Sequence, residues 1–254
     1  MLRGFAQGVA LLLRGFRAWG SNPGVMLLGL IPAVITSLLF GAGIVALAVH
    51  LEPITAALTG FAESWDEPWQ GVLRVAVGGA LLGASVLVAI YTFTLVTLTI
   101  GAPFFERISR AVDDRISPVA EGEEPPFLRG LLRGIGEGLA LLALTLLTGA
   151  ALFLLGLIPL VGAVTAAVAG AFTGGWVLAL ELTATAFERR GIRLGGRRRM
   201  LARERSVTLG FGVAAFLLFL VPLGAVATMP AAVAGATLLA RRSLGEPTSP
   251  RAAA

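Results

Sequence analysis

The chain has 254 residues, of which 56% are hydrophobic and 14% charged, and its formal net charge is +5. Soluble domains average about 25% charged residues, and several uncharged runs here approach or exceed the ~18–20 apolar residues of a transmembrane helix. A soluble fold is therefore excluded and an integral, all-helical membrane protein is expected.

The ~10-residue alternating segments of a membrane β-barrel do not occur. No cysteine is present, which excludes disulfides, thiolate chemistry and Cys metal sites. Every basic residue is arginine. The arginines flank the apolar runs as the positive-inside rule requires, and no nucleic-acid recognition motif accompanies them, so no nucleic-acid partner is expected.

Leu2 to Trp19 is amphipathic. At ~100° per residue, Leu2, Phe5, Val9, Leu12, Leu13, Phe16 and Trp19 share one face, and Arg3, Gln7, Arg14 and Arg17 the other. The pattern predicts an interfacial helix over 1–20 in the headgroup plane. A signal peptide fits less well, because Arg14 and Arg17 interrupt the apolar stretch and no small-x-small cleavage site follows. Ser21 or Asn22 can cap a helix with Pro23 in its first turn. The first membrane helix is predicted from about Val25 to Leu51, kinked near Pro32 where a backbone donor is missing. His50, at its far end, reads as interfacial rather than as a ligand.

Glu52 to Gln70 carries Glu52, Glu63, Asp66 and Glu67 without a basic residue, and its Trp65 and Trp69 suit a membrane–water interface. It is expected outside as a loop. Val72 to Ile100 is the second membrane helix. Arg74 at its outer end can snorkel or pair with the acidic loop. Gly79 and Gly83 form a small-xxx-small pair for close helix approach. Tyr91, Thr92, Thr94, Thr97 and Thr99 either bond helix carbonyls or line a polar pathway.

Pro103 to Ile116 is amphipathic and continues that helix into the cytoplasm. Phe104, Phe105, Ile108, Ala111, Val112 and Ile116 form its packed face, and Glu106, Arg107, Arg110, Asp113 and Asp114 its opposite face. A polar loop covers 121–126. Leu131 to Phe187 is an apolar hairpin with its tip at Pro159. Phe187 to Arg242 is a second hairpin with its tip at Pro222, entered through an arginine cluster running from Arg189 to Arg205. Residues 243–254 read as a disordered tail, and 1–254 as a single polytopic membrane domain.

Four arginine-rich regions must be cytoplasmic under the positive-inside rule. Two crossings followed by two hairpins that begin and end inside satisfy this, with both termini cytoplasmic. The tips Leu157-Ile158-Pro159-Leu160 and Leu220-Val221-Pro222-Leu223 echo one another. Val207 to Val221 spans only ~22 Å at 1.5 Å per residue, short of a ~30 Å hydrocarbon core. The C-terminal hairpin is therefore expected to insert partway, with its tip packed on protein. The middle hairpin is long enough to cross fully or to stop short.

Several segments come in the order of a known family: Asn22-Pro23-Gly24 before a Leu-Ile-Pro helix, Gly101-Ala102-Pro103-Phe104-Phe105-Glu106, Leu157-Ile158-Pro159, Arg189-Arg190-Gly191, Leu209-Gly210-Phe211-Gly212, and the run from Pro230 to Leu239. Together they resemble the CysZ-type sulfate permeases, grouped with the etoposide-induced-protein membrane family, over nearly the whole chain. The resemblance implies a bacterial inner-membrane protein with two full membrane helices and two partly inserted hairpins. It also implies homo-oligomers and sulfate passage into the cytoplasm for cysteine synthesis. In sulfate-handling members Pro-Gly leads into an anion-binding arginine pair; here it leads into Val25-Met26-Leu27.

The substrate-binding candidates are Asn22, Gly24, Val25, Glu181, Arg189 and Arg190. Asn22, Gly24 and Val25 qualify by resemblance, as the start of a helix whose free amides and positive dipole end can meet an anion. Glu181 follows a long uncharged stretch. It is either a functional membrane-depth carboxylate or the partner of Arg189 or Arg190. The Arg189–Arg205 cluster can gather anions, bind anionic lipid headgroups, or only orient the chain.

No catalytic residue, metal site or cofactor is expected, since phosphate loops, metal motifs and nucleophile elbows are absent. The expected function is a permease or channel for a small inorganic anion, sulfate by resemblance, in contact with the lipid bilayer. The alternative is a non-transporting membrane scaffold that keeps the fold without the arginine pair.

Overall fold

The computed structural model describes residues 1–21, 23–119, 127–159, 161–221 and 224–250. Among them the chain forms eleven α-helices and one short 3-10 turn, with no strand. In order these helices are α1 (Leu2–Ser21), α2 (Pro23–Leu28), α3 (Ile31–Val49), α4 (Leu51–Leu58), α5 (Glu67–Ile116), α6 (Phe127–Gly156), α7 (Gly162–Leu182), α8 (Ala184–Glu188), α9 (Leu194–Arg203), α10 (Arg205–Leu220) and α11 (Gly224–Ser243).

Five segments among the described residues are long and apolar enough to cross a membrane: Ile31–Val49, Glu67–Ala89, Gly134–Gly156, Gly162–Leu182 and Gly224–Ser243. None of the window within Gly134–Gly156 is buried inside the chain, and only 6% of that within Glu67–Ala89 is. Helices apolar on all sides and exposed to this degree are stable where hydrocarbon is the solvent. The protein is an all-helical membrane protein, as expected. α10, with 16 residues, is too short by this criterion; at 1.5 Å per residue it reaches only ~24 Å.

The chain groups into two compact units: Met1–Gly29 with Pro103–Ala254, and Leu30–Ala102. In the first unit, α1 packs on α10 and α11, α10 on α7, and α7 on α6. Leu12, Ile108, Leu180, Phe187, Leu201, Phe211 and Leu239 form its core. Glycines set these contacts. A Cβ at Gly8 would overlap the Val207 carbonyl oxygen, and one at Gly210 the Phe5 carbonyl oxygen. A Cβ at Gly175 would lie 2.7 Å from the Val213 amide nitrogen. Backbones this close need the missing side chain, the device that small residues provide between membrane helices.

In the second unit, Phe40 on α3 meets Phe93 on α5, with ring centroids 6.4 Å apart. Gly78 faces Leu51 and Thr55 of α4, at 3.3 and 3.4 Å from a notional Cβ. Gly79 and Gly83, the expected approach pair, meet nothing within 4 Å.

Other expectations change. The first membrane helix is not one kinked rod. α2 ends at Leu28, and α3 starts at Ile31 with proline in its first turn, so Pro32 initiates a helix instead of bending one. The acidic stretch after His50 is largely helical, with α4 and a 3-10 turn over Gly60–Ala62. α1 buries Gly8, Leu11, Leu12 and Gly15 against protein, while Leu2 and Leu13 of the expected apolar face are exposed. Leu220 and Val221 before the last hairpin tip are exposed, and Pro222 and Leu223 at the tip itself lie outside the described residues. The tail is held as far as it is described: Pro247 and Thr248 accept hydrogen bonds from Arg241 and Arg14. Residues 251–254 lie outside the described residues.

Candidate functional site

The charged centre of the first unit is built on one row of α5. Ser109 and Asp113 are spaced by four and share one line of the helix; Ser117, four further on, lies just past its end, and its backbone N–H donates to the Asp113 carbonyl at 2.9 Å. Ser109 and Asp113 are both 1% exposed. Asp113 is not on the solvated face assigned to it from periodicity; it lies on the buried face with Phe105 and Ile108. Its neighbour Asp114 is exposed.

Three guanidinium groups converge on Asp113. Arg190 grips it with both ends, Nη1 donating to Oδ2 at 3.2 Å and Nη2 to Oδ1 at 3.0 Å. Arg241 Nη1 donates to Oδ1 at 2.7 Å, and Arg189 Nη2 donates to Oδ2. The carboxylate accepts four N–H bonds, which fills its acceptor sites. Charge-assisted, bidentate pairing of this kind is the strong class of hydrogen bond.

The arginines differ in what remains free. Arg190 uses all five of its N–H donors. Besides Asp113, Nε and Nη2 hold the two oxygens of Glu246 at 2.9 and 2.7 Å, and Nη1 also donates to the Ala186 carbonyl at 2.7 Å. Arg241 adds the Pro247 carbonyl at 2.7 Å and both the carbonyl and hydroxyl of Ser117. Arg189 is the least satisfied. Its Nη2 reaches Ser109 Oγ at 3.1 Å, and its buried Nε has no partner. The Thr237 hydroxyl donates to the Val233 carbonyl at 2.9 Å, so at 2.8 Å it must accept from Ser109, which leaves Ser109 oxygen lone pairs for Arg189.

The electrostatics agree. Burial holds the Arg189 guanidinium below its ordinary pKa, with Asp113 opposing and Arg190 and Arg110 adding to the depression. Burial also works against Arg190, but its hydrogen bonds to Glu246 and Asp113 outweigh that and keep it above its ordinary value. Three cations face two carboxylates, an excess of one positive charge, and Arg189 is where it is least compensated.

The arginine cluster thus divides. Arg189 and Arg190 belong to the Asp113 centre. Arg197 is buried, with only a 3.5 Å ion pair to Glu188, and burial lowers its pKa against the pull of Glu188, Glu137 and Glu181. Arg193, Arg198, Arg199, Arg203 and Arg205 are exposed. Glu181 is exposed too, and the cation acting on it is Arg197, not the expected Arg189 or Arg190.

Gly24 sits exposed in α2, and a Cβ there would meet nothing within 4 Å outside its own helix turn. α2 holds only six residues, so few peptide dipoles align there. Asn22 and the side chain of Val25 lie outside the described residues. The Thr92 hydroxyl bonds the Val88 carbonyl at 2.6 Å, the local reading of that threonine. Among the described residues no group of His, Asp or Glu could hold a metal ion.

Sequence reasoning missed Asp113, Arg241 and Glu246. The readable signals were the Ser-Asp-Ser spacing of four and Glu246, the single acid after Arg242.

Residues 11–230 match the family described as Sulfate transporter CysZ/Etoposide-induced protein 2.4. The chain belongs to this family. A protein of Pseudomonas paraeruginosa named Sulfate transporter CysZ is 28% identical over 94% of both chains. One of Pseudomonas fluorescens with the same name is 32% identical over 61% of this chain and 63% of its own. One of Vibrio cholerae, again so named, is 24% identical over 92% of this chain and 90% of its own. This is a transporter family, not an enzyme family, and its apolar helices and relatives make the chain a bacterial membrane protein. Asp113, Arg189 and Arg190 fall within the matched residues; Arg241 and Glu246 lie beyond them.

Proposed function

We propose that this protein is an inner-membrane permease or channel for a small inorganic anion, with sulfate as the substrate, supplying sulfur assimilation. The observation that carries this reading is the family match over 11–230, with relatives named as sulfate transporters along almost their whole length. Both termini are placed in the cytoplasm. Supporting this, the four segments that the positive-inside rule puts on one side are joined by hydrogen bonds: Arg14 to Thr248, and Asp113 to Arg190 and Arg241. The exposed apolar faces of α5 and α6 support a working form embedded in lipid, and the family resemblance is what supports a homo-oligomer.

Within the unit, Arg189 is the residue we assign to the anion. It has free donors and the uncompensated charge, whereas Arg190 positions it by holding Asp113 and Glu246. Gly24, with Asn22 and Val25, remains a second contact by resemblance, and Glu181 a candidate on the path.

Labelled sulfate flux into proteoliposomes tests the reading; flux no greater than in empty vesicles, with folded protein, would overturn it. That result would favour a non-transporting membrane scaffold. Val25-Met26-Leu27 in place of the arginine pair is the observation behind this second reading.

A further inference from the structure

An open cavity of about 460 Å³ lies among α6, α7, α9 and α10. Leu144, Phe172, Trp176 and Leu209 form its apolar wall, and Ala202 and Arg205 flank the junction of α9 with α10. Thr148 and Thr173 also line it, but their hydroxyls already donate to Leu144 and Ala169 carbonyls of their own helices, at 2.7 and 2.9 Å. The charged group on the wall is therefore Arg205. Arg198 stands one turn before Ala202 on the same face of α9, and it is exposed, like Arg199 and Arg203. α9 contains no acidic residue.

We infer that this cavity binds an anionic phospholipid, with an acyl chain along Phe172, Trp176 and Leu209 and its phosphate at Arg205 and Arg198. The chemistry selects the occupant. Beyond Arg205 and the Trp176 indole N–H the lining is apolar or already bonded within its own helix, so a hydrated inorganic anion would give up more water than the wall replaces. It suits hydrocarbon, which enters an apolar cleft favourably. The arginines need an anion at the same site, and arginine matches phosphate with several donors. A molecule with a long apolar chain and an anionic head meets both demands, and the surrounding membrane supplies it. The arginine-rich side is also where anionic headgroups attract basic residues. The inference goes beyond the transport reading and stands whether or not sulfate is the substrate.

Trp176 makes the site directly readable. The full chain, with Trp19, Trp65 and Trp69 replaced by Phe, is reconstituted in vesicles containing either phosphatidylglycerol or phosphatidylcholine brominated on the acyl chain. Half-maximal quenching of Trp176 is expected at a roughly thirtyfold lower mole fraction of the brominated phosphatidylglycerol, the preference that two arginines at a headgroup supply. Arg198→Glu with Arg205→Glu should remove the preference. Equal quenching by both lipids overturns the proposal, since Trp176 would then face bulk lipid. Absence of quenching by either also overturns it, since protein, such as a second copy, would cover the groove. Native mass spectrometry of the unaltered chain gives an independent reading. Retained phosphatidylglycerol adducts that the double arginine variant loses are expected, and adducts equal in both proteins count against the site.

Discussion

Arg190 and Asp113, 77 positions apart, meet through two parallel hydrogen bonds of 3.0 and 3.2 Å in a site that water hardly reaches. On its other edge Arg190 grips Glu246 in the same two-pronged way. One guanidinium therefore ties α5, the end of α8 and the segment after α11 together.

Removing the acid should be severe. Asp113→Asn leaves three guanidinium groups without their shared carboxylate, and breaking a buried pair costs about 3–5 kcal/mol. The expected outcome is a large fall in thermal midpoint or loss of monodisperse protein in detergent. Asp114→Asn, on the exposed neighbour, should change neither.

The tail makes a graded prediction. Ending the chain after residue 250 should leave thermal stability unchanged. Ending it after Ser243 removes Glu246 and the Pro247 carbonyl from Arg190 and Arg241, and should lower the midpoint measurably. Glu246→Gln alone should cost less than Asp113→Asn, because its side chain is 29% exposed and water compensates part of the loss.

Arg189 separates transport from stability. Arg189→Gln leaves Arg190 and Arg241 to balance Asp113 and Glu246, so expression and thermal midpoint should hold. Sulfate flux in proteoliposomes should drop by at least about tenfold, the low end of the loss of one charge-assisted contact of ~1.5–3 kcal/mol. Unchanged flux would remove Arg189 from the anion path. Glu181→Gln is expected to alter flux with membrane expression unchanged; flux identical to that of the unsubstituted chain would make Glu181 structural.

Glycine contacts test the packing. Gly8→Val or Gly175→Val must part backbones already in contact, and overpacking of this kind costs about 1–3 kcal/mol or more. Gly79→Ala and Gly83→Ala add a methyl in open space inside α5 and should be neutral or stabilising, by up to about 1 kcal/mol from helix propensity. Thermal unfolding of the four variants in one detergent would show the contrast.

The sequence by itself determined what depends on local composition and period. Long uncharged runs fixed a helical membrane protein, because unpaired backbone groups cannot remain in hydrocarbon. The arginine-flanked hairpins, the continuation of the second helix through Pro103 and the family followed from the same linear reading. Pro32 was misplaced because a proline at a helix start and one at a kink have the same local signature. Which glycines mattered could not be read from spacing, since Gly79 and Gly83 carry the motif and Gly8 and Gly175 the contacts. Only the tertiary structure decided the charged centre. Asp113 looks solvated from its neighbours, and its burial is tolerable only because Arg189, Arg190 and Arg241 arrive from distant parts of the chain. A buried charge is stable by virtue of partners in space, and a linear pattern does not record them.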